Sequence, residues 1–123
     1  MMDLIDKNLH SLGSTYHVQR ASPAFIAPEE LNKDQYEDTN DGKCDLWSLG
    51  CILFYILCGV PPFYDEDHFL LFDKIKEGDY NFDHPNWEQV SPEGQDFISQ
   101  LLVTDPEKRL GAEGVTAHPW FEG

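Results

Sequence analysis

Three cysteines, Cys44, Cys51 and Cys58, recur at intervals of seven residues and are the first residues whose type and spacing could do chemistry. On a helix they would share one face, with about 10 Å between neighbours along the axis. A disulfide cannot bridge that distance, and no histidine lies at metal-ligand spacing between them. The pattern therefore predicts thiols that pack in the core of a protein kept in a reducing compartment.

Asp45 is the second candidate, because it is an acid at the head of an apolar run that extends from Leu46 to Phe63. Its carboxylate could accept an N–H at the start of a helix, or a backbone N–H from another part of the chain, and the two interpretations are compatible. Apolar residues occupy the whole circumference of the helix predicted from Asp45 to Cys58. That helix is therefore expected to be buried on every side.

The length and composition of the chain limit the functions that it can have. With 123 residues, the chain is long enough for one domain, and its 23 acidic residues outnumber the 8 basic ones. The acids are spread out, which favours a solvated acidic surface, with a preference for basic peptides as the alternative.

The sequence has no cluster of basic residues that could bind the phosphates of a nucleic acid. The apolar run is too short for a membrane span, and the N-terminus lacks the features of a secretory signal. We therefore expect an intracellular, cytoplasmic protein that binds neither membrane nor nucleic acid.

Local signals predict a mostly helical domain. Caps, first-turn prolines and apolar periodicity place helices over Glu29–Asp34 after Pro28, from Asp65–Asp67 to Gly78, after Ser91-Pro92-Glu93, and over Val115–His118, with a turn at Asp105. The aromatic residues Trp120 and Phe121 are expected to pack on the core.

Four segments in this order resemble the C-terminal lobe of a eukaryotic protein kinase: "SPAFIAPEEL" (22–31), "CDLWSLGCILFYILCGVPPF" (44–63), "DPEKRL" (105–110) and "HPWF" (118–121). Within that family the chain is similar to the serine/threonine branch, and most to the calcium/calmodulin-dependent kinases. The resemblance implies a mainly α fold, the incomplete helical C-lobe of the kinase fold. It divides the chain into part of an activation segment (1–21), a C-lobe portion (22–121) and a tail (122–123).

The resemblance also implies structural roles. Glu29 and Arg109 match the glutamate and arginine that pair in the family, and such a structural clamp would hold the activation segment on the lobe. Asp45 matches an aspartate that accepts hydrogen bonds from the backbone of the catalytic loop. Trp47 is expected to pack against the helix that precedes that loop.

The same resemblance places substrate docking on Ser22, Pro23 and Phe25, next to which a peptide substrate would lie. Ala21 and Phe25 replace the family's usual glycine and tyrosine, which puts an αL turn and one phenol hydrogen bond in doubt.

Ser14 and Thr15 fall where an activation loop is phosphorylated in many relatives, and a plain polar surface is the alternative there.

Phosphoryl transfer in this family needs a Gly-rich loop, a lysine for the ATP phosphates and an HRDxxxxN segment, none of which occurs in this sequence. Asp3 lies near the position of the family's metal-binding DFG aspartate, but the Phe and Gly are missing, so a metal role for Asp3 is only weakly indicated. We therefore expect no catalytic residue and no cofactor in this chain, with Mg-ATP as the cofactor of the parent family.

Two functions remain open. In the first, the chain is a fragment of a serine/threonine kinase that phosphorylates protein substrates, basic ones among them, and it does not catalyse alone. In the second, it is a non-catalytic, kinase-like interaction module. In either case the remaining helices can cover only part of the central apolar helix, so its exposed side would bind the missing kinase half or another protein.

Overall fold

The computed structural model describes residues 23–31 and 42–122, without the side chains of residues 121 and 122. The expectations for Asp3, Ser14, Thr15 and Ser22 therefore lie outside the described residues. Within them the chain is helical and no strand occurs, which confirms the predicted mainly α fold. The elements in chain order are a 3₁₀ turn η1 (Pro23–Phe25), α1 (Pro28–Leu31), α2 (Lys43–Cys58), α3 (His68–Glu77), η2 (Pro85–Gln89), α4 (Pro92–Leu101), α5 (Ala112–Ala117) and α6 (Pro119–Glu122).

The central helix α2 begins at Lys43, two residues before the predicted start. Its N-cap is Gly42, at a positive φ of 77°, and no side chain caps it. The expectation that Asp45 caps this helix is therefore wrong, because Asp45 already lies inside the first turn. The other end matches the prediction, since Gly59 ends the helix at a φ of 92° and donates its N–H to the carbonyl of Tyr55 at 2.8 Å.

Within this chain α2 is not buried on every side, which is the partial cover expected from the few helices that remain. Trp47, Cys51, Leu57 and Cys58 are fully buried, whereas Ile52 is 37% exposed and Asp45 is exposed. Asp45 and Ile52 are seven residues apart and lie on the same side of the helix. The helices of the described residues thus cover only part of α2. None of these helices is long and apolar enough to cross a bilayer.

The start and end signals of α3 and the start signal of α4 were predicted correctly. Asp67 caps α3 by accepting the N–H groups of Phe69 and Leu70, and Gly78 ends it at a φ of 64°. Ser91 caps α4 by accepting the N–H of Gly94, with Pro92 in the first turn. These ends depend on short-range chemistry that one residue type supplies, which is why the sequence predicts them.

Two elements differ from the expectation. The 3₁₀ turn η2, in which His84 caps the N–H of Asn86, was not predicted, and α5 begins at Ala112 rather than Val115. Trp120 follows the prediction, because its ring lies on Phe97 with 5.1 Å between ring centroids, whereas the side chain of Phe121 lies outside the described residues.

The core is organised around the buried side of α2. Phe54 contacts Trp87, with ring centroids 4.8 Å apart, and Trp47 stacks on Phe63 at 5.5 Å. Helix α4 packs directly across α2 and contributes Ile98 and Leu101, which are fully buried. Burying this much aromatic and aliphatic surface is the main source of stability for a domain of this size.

At Gly50 the backbone of α2 lies directly against the end of α4. A Cβ at Gly50 would lie 2.8 Å from the Cβ of Leu101 and 3.1 Å from Leu102 Cδ2. Alanine favours helix by up to about 1 kcal/mol over glycine, but overpacking against a stiff Cβ costs about 1–3 kcal/mol. We expect Gly50→Ala to lower the free energy of unfolding by about 1–2 kcal/mol in urea titrations. A stabilised variant would contradict this packing, and Lys76→Ala on the exposed face of α3 is the control.

Candidate functional site

The candidate site is centred on a buried ion pair between Arg109 and Glu29, which are 80 residues apart in the chain. Arg109 Nη1 lies 2.7 Å from Glu29 Oε2, and Nη2 lies 2.9 Å from Oε1, so the contact is bidentate. The arginine side chain is inaccessible to solvent and that of Glu29 is 14% exposed. Such a fork-to-fork pair is among the stronger charge-assisted contacts in proteins.

The Arg109 guanidinium finds a partner for each of its N–H donors. Besides the two bonds to Glu29, Nη1 donates to the carbonyl of Lys43 at 2.7 Å, Nε to that of Val103 at 2.8 Å, and Nη2 to that of Thr104 at 3.5 Å. A guanidinium has five N–H donors, so its burial leaves none of them unsatisfied. The arginine therefore joins α1, the start of α2 and the turn after α4.

Lys43 contacts the segment that carries Arg109, and this role was not predicted from the sequence. Its Nζ donates to the carbonyls of Pro106 at 3.0 Å and Arg109 at 2.5 Å, while its own carbonyl accepts from Arg109. Lysine at the first position of a helix has no local signal that points to partners more than 60 residues away. Only the folded chain shows that each of these two side chains donates a hydrogen bond to the backbone carbonyl of the other residue.

Trp47 lies against the Arg109 guanidinium and forms part of this site. It is fully buried, and the central carbon of the Arg109 guanidinium lies 5.1 Å from the centroid of its ring. A cation over the face of an indole is attracted by the ring's quadrupole, more so where water is excluded. The ion pair and the aromatic core are therefore one packed unit.

The segment 23–31 is held on the lobe by one further hydrogen bond, which Ser48 Oγ donates to the carbonyl of Phe25 at 2.9 Å. Within the segment, Glu30 accepts the N–H of Ala27 at 3.1 Å. Phe25 is buried in the core and Pro23 is half-buried. The contact from Ser48 was not predicted, because it joins residues that are distant in the chain.

Asp45 stands apart from this unit. It is exposed, and the contact described for its carboxylate is with the Cys44 thiol at 4.0 Å. In the part of the chain that the structure describes, no backbone N–H donates to it. The structure therefore brings Glu29, Arg109 and Trp47 together, with Phe25 packed in the same core, and leaves Asp45 on the surface.

The three cysteines are free thiols. Burial raises the pKa of Cys51 far above its ordinary value, and it also raises the pKa of Cys58 and, together with the nearby carboxylates of Glu30, Asp45 and Glu29, that of Cys44. A thiol with a raised pKa holds little thiolate near neutral pH and is a poor nucleophile. These cysteines therefore act as packing residues.

His118 and Asp96 form a separate side-chain hydrogen bond, with Asp96 on α4 and His118 just before α6. His118 Nε2 lies 2.8 Å from Asp96 Oδ2, and Nδ1 accepts the N–H of Trp120 at 3.1 Å. Because Nδ1 is an acceptor, the proton of the neutral ring lies on Nε2, which donates to Asp96. This bond, and a second from Gln100, hold the pKa of Asp96 below its usual value.

A depressed carboxyl pKa predicts a pH dependence of stability. The contribution of Asp96 is fully present above its unfolded pKa of about 3.9 and is lost as the pH falls through the lower folded value. We expect Asp96→Asn to be less stable than the wild type at about pH 6, and the difference to be smaller at about pH 3, measured by thermal unfolding. An undiminished difference at the lower pH would contradict the assignment.

The described residues do not form a site for a metal or nucleotide. They contain no group of three His, Cys, Asp or Glu side chains that could hold a metal ion. The sequence also carries no Gly-rich loop with which backbone N–H groups could bind phosphates. The residues present therefore do not fit Mg-ATP, and what they can do is position a polypeptide segment.

Comparison with known proteins agrees with this geometry. Residues 6–121 match the family model of the protein kinase domain. The chain belongs to the protein kinase family, and the predicted resemblance to the helical C-lobe is confirmed.

The similar proteins indicate which protein kinases this chain resembles. Over 103 residues the chain is 45% identical to a calcium/calmodulin-dependent protein kinase type 1 of Caenorhabditis briggsae. It is 44% identical to the Caenorhabditis elegans protein of that name and 43% to that of Macrobrachium nipponense. Each alignment covers 83% of this chain and 28% of the relative, so the chain spans less than a third of their length. The predicted likeness to this group is confirmed.

Proposed function

We propose that this chain supplies the peptide-docking portion of a serine/threonine protein kinase, whose activity transfers the γ-phosphate of ATP to a protein hydroxyl. The observation that carries the proposal is the buried, bidentate contact of Arg109 with Glu29. It holds the segment 23–31, with Pro23 and Phe25, against the helical core. Ser22, the residue before this segment, completes the proposed docking surface. Phe25 packs inward, so the segment would present mainly its backbone to a peptide.

The chemical step is assigned to residues that this sequence does not contain. Mg-ATP, the cofactor of the parent family, would supply the phosphoryl group, and the nucleotide-binding half of a kinase would hold it. Positioning alone is a large part of phosphoryl-transfer catalysis, because aligning the acceptor hydroxyl converts a bimolecular encounter into a local one. The proposed contribution of this chain is that alignment.

Protein substrates that are basic near the acceptor residue fit the charge of the chain. Residues 65–83 carry seven acids and two bases, and the whole chain has a net charge of −15. An acidic surface raises the local concentration of cationic peptides and speeds their encounter. We also propose an intracellular, cytoplasmic location, because the similar proteins are calcium/calmodulin-dependent protein kinases and the cysteines are free thiols.

A chimeric kinase tests the proposal. The matching segment of the C. elegans relative is replaced by this chain, and phosphate transfer to a basic serine peptide and to its acidic counterpart is measured. We expect transfer that prefers the basic peptide, and loss of transfer in the chimera that carries Glu29→Gln and Arg109→Met together. A chimera that folds and binds ATP but transfers no phosphate would refute the docking role.

The second candidate is a non-catalytic interaction module, and the incomplete cover of α2 is compatible with it as well as with a kinase portion. Ile52 is 37% exposed on the side of α2 that also carries Asp45. In a kinase this side would receive the half that precedes the activation segment, and in an interaction module it would receive another protein. An inactive chimera, together with an isolated chain that does not bind a purified nucleotide-binding half, would favour the module.

A further inference from the structure

The docking segment 23–31 has two ends, and the ion pair of Glu29 with Arg109 fixes only one of them. That contact holds α1, whereas the 3₁₀ turn η1 lies at the other end of the segment. Ile26 and Ala27 connect the two elements and belong to neither. Because each residue of a backbone has two soft dihedrals, a contact at Glu29 alone does not determine where η1 lies. A separate contact has to fix the turn on the helical core.

The turn η1 is only weakly stabilised by its own hydrogen bonding. The N–H of Ile26 lies 3.4 Å from the carbonyl of Pro23, and the hydrogen-bond geometry of 3₁₀ turns is poor. Ala24 and Phe25 are buried, but apolar burial is non-directional and does not by itself fix the direction of a carbonyl. The ring of Phe25 has no polar atom with which to form a hydrogen bond. The position of the turn therefore depends on a contact from another element.

Ser48, on the central helix α2, supplies this contact. Its Oγ lies 2.9 Å from the carbonyl oxygen of Phe25 and 3.3 Å from that of Cys44, four residues earlier in the same helix. A serine within a helix commonly bonds the carbonyl four residues back, and such a bond joins nothing beyond its own helix. A hydroxyl has one proton to donate, and the shorter distance assigns that proton to Phe25. The hydroxyl of Ser48 therefore joins η1 to α2.

We propose that Ser48 is a positioning residue of the peptide-docking site, whose hydroxyl sets the position of the η1 backbone and thereby the affinity for the protein substrate. The inference rests on the proposed function and deepens it. Because Phe25 packs inward, η1 would present mainly backbone, and main-chain contacts give affinity that does not depend on the side chains of the peptide. Ser48 would thus act equally on every peptide substrate, while the acidic surface sets the preference for basic ones.

The kinase chimera tests this proposal with a matched pair of variants. Ser48→Thr keeps the hydroxyl, whereas Ser48→Val has nearly the same shape as threonine without it. We expect Ser48→Val to raise the KM for the basic serine peptide about fivefold or more, with kcat and the KM for ATP unchanged. Ser48→Thr should remain close to the wild type. A variant that merely folds less well has fewer active molecules, which lowers the apparent kcat and leaves the KM for the peptide unchanged.

A serine with only a local hydrogen bond is the control. Ser99 Oγ donates to the carbonyl of Asp96 at 2.7 Å within α4, so Ser99→Ala should leave the KM for the peptide unchanged. A second measurement, hydrogen exchange of the 123-residue chain, does not depend on activity. Exchange in residues 23–27 should be about fivefold faster in Ser48→Val than in Ser48→Thr, and the amides of α1 should change less, because the ion pair of Glu29 is intact.

The outcomes separate this inference from the proposed function on which it rests. A folded chimera with the wild-type sequence that transfers no phosphate would refute the docking role, and this inference with it. An active chimera in which Ser48→Val and Ser48→Thr have the same KM for the peptide would overturn the role of the hydroxyl and leave the docking role standing. A KM that rises for the basic peptide and not for its acidic counterpart would also overturn it, because backbone contacts affect both peptides equally.

Discussion

Arg109→Met is expected to lower the free energy of unfolding by about 3–5 kcal/mol, which is a large part of the stability of a domain of this size. The methionine fills much of the volume but leaves the Glu29 carboxylate without its cation. It also removes the donors to the carbonyls of Lys43 and Val103. The loss is measured by urea unfolding, followed by tryptophan fluorescence.

Two comparisons make this result specific to the guanidinium. Lys108→Met removes the neighbouring exposed cation and should change stability by no more than about 0.5 kcal/mol. Arg109→Lys keeps a positive charge but cannot form the bidentate contact, so it should retain only part of the lost stability. A stability loss in Arg109→Met no larger than that in Lys108→Met would contradict a buried, fully paired arginine.

Trp47→Ala is expected to cost about 3–5 kcal/mol by the same measurement. The indole is fully buried between Phe63, on which it stacks, and the guanidinium of Arg109. Its removal leaves a cavity in the centre of the core and takes away the ring that faces the cation. The cost therefore combines lost apolar burial with a weakened ion-pair site.

The control for Trp47 is an aromatic residue in the opposite environment. Phe69→Ala removes a ring that is 83% exposed, so it should change stability by no more than about 0.5 kcal/mol. The double variant Trp47→Ala, Arg109→Met should be less destabilised than the sum of the single variants, because the two side chains are in contact. Full additivity would show that the indole and the guanidinium are energetically independent.

The sequence predicted the parts of the fold that short-range chemistry determines. Asp67 and Ser91 cap α3 and α4 with their own side chains, and Gly78 ends α3 in a conformation that other residues adopt only with strain. The start of α2 was predicted wrongly, because Gly42 caps it through its backbone at a φ of 77° and no side chain signals the position. An acid close to a helix start therefore does not by itself identify the N-cap, since Asp67 caps α3 whereas Asp45 does not cap α2.

In the candidate site, the contact between Glu29 and Arg109 was predicted only because both residues match motifs of the family. Glu29 and Arg109 were proposed as partners from motif order, and the contact they make spans 80 residues. Lys43 and Ser48 make contacts of similar importance to the same unit, but their partners are backbone carbonyls, and any residue type supplies a carbonyl. No pattern of side chains in the sequence can therefore identify them.

The exposed side of α2 illustrates another limit of periodicity. A helix that is apolar around its whole circumference must be covered, yet the pattern does not reveal which polypeptide covers it. In the structure Ile52 is 37% exposed while Cys51, its neighbour in sequence, is fully buried. Sequence periodicity thus predicted the need for a partner surface, and the fold assigned that surface to the side with Asp45 and Ile52.

Hydrogen exchange of segment 23–31 tests the central claim most directly, namely that the contact of Glu29 with Arg109 holds this segment on the helical core. Exchange is measured by mass spectrometry in the wild type, in Glu29→Gln and in the exposed control Glu107→Gln. The account predicts that in Glu29→Gln the amides of 23–31 exchange about tenfold faster or more, and that those of α4 change by less. Equal exchange of segment 23–31 in all three proteins would contradict it.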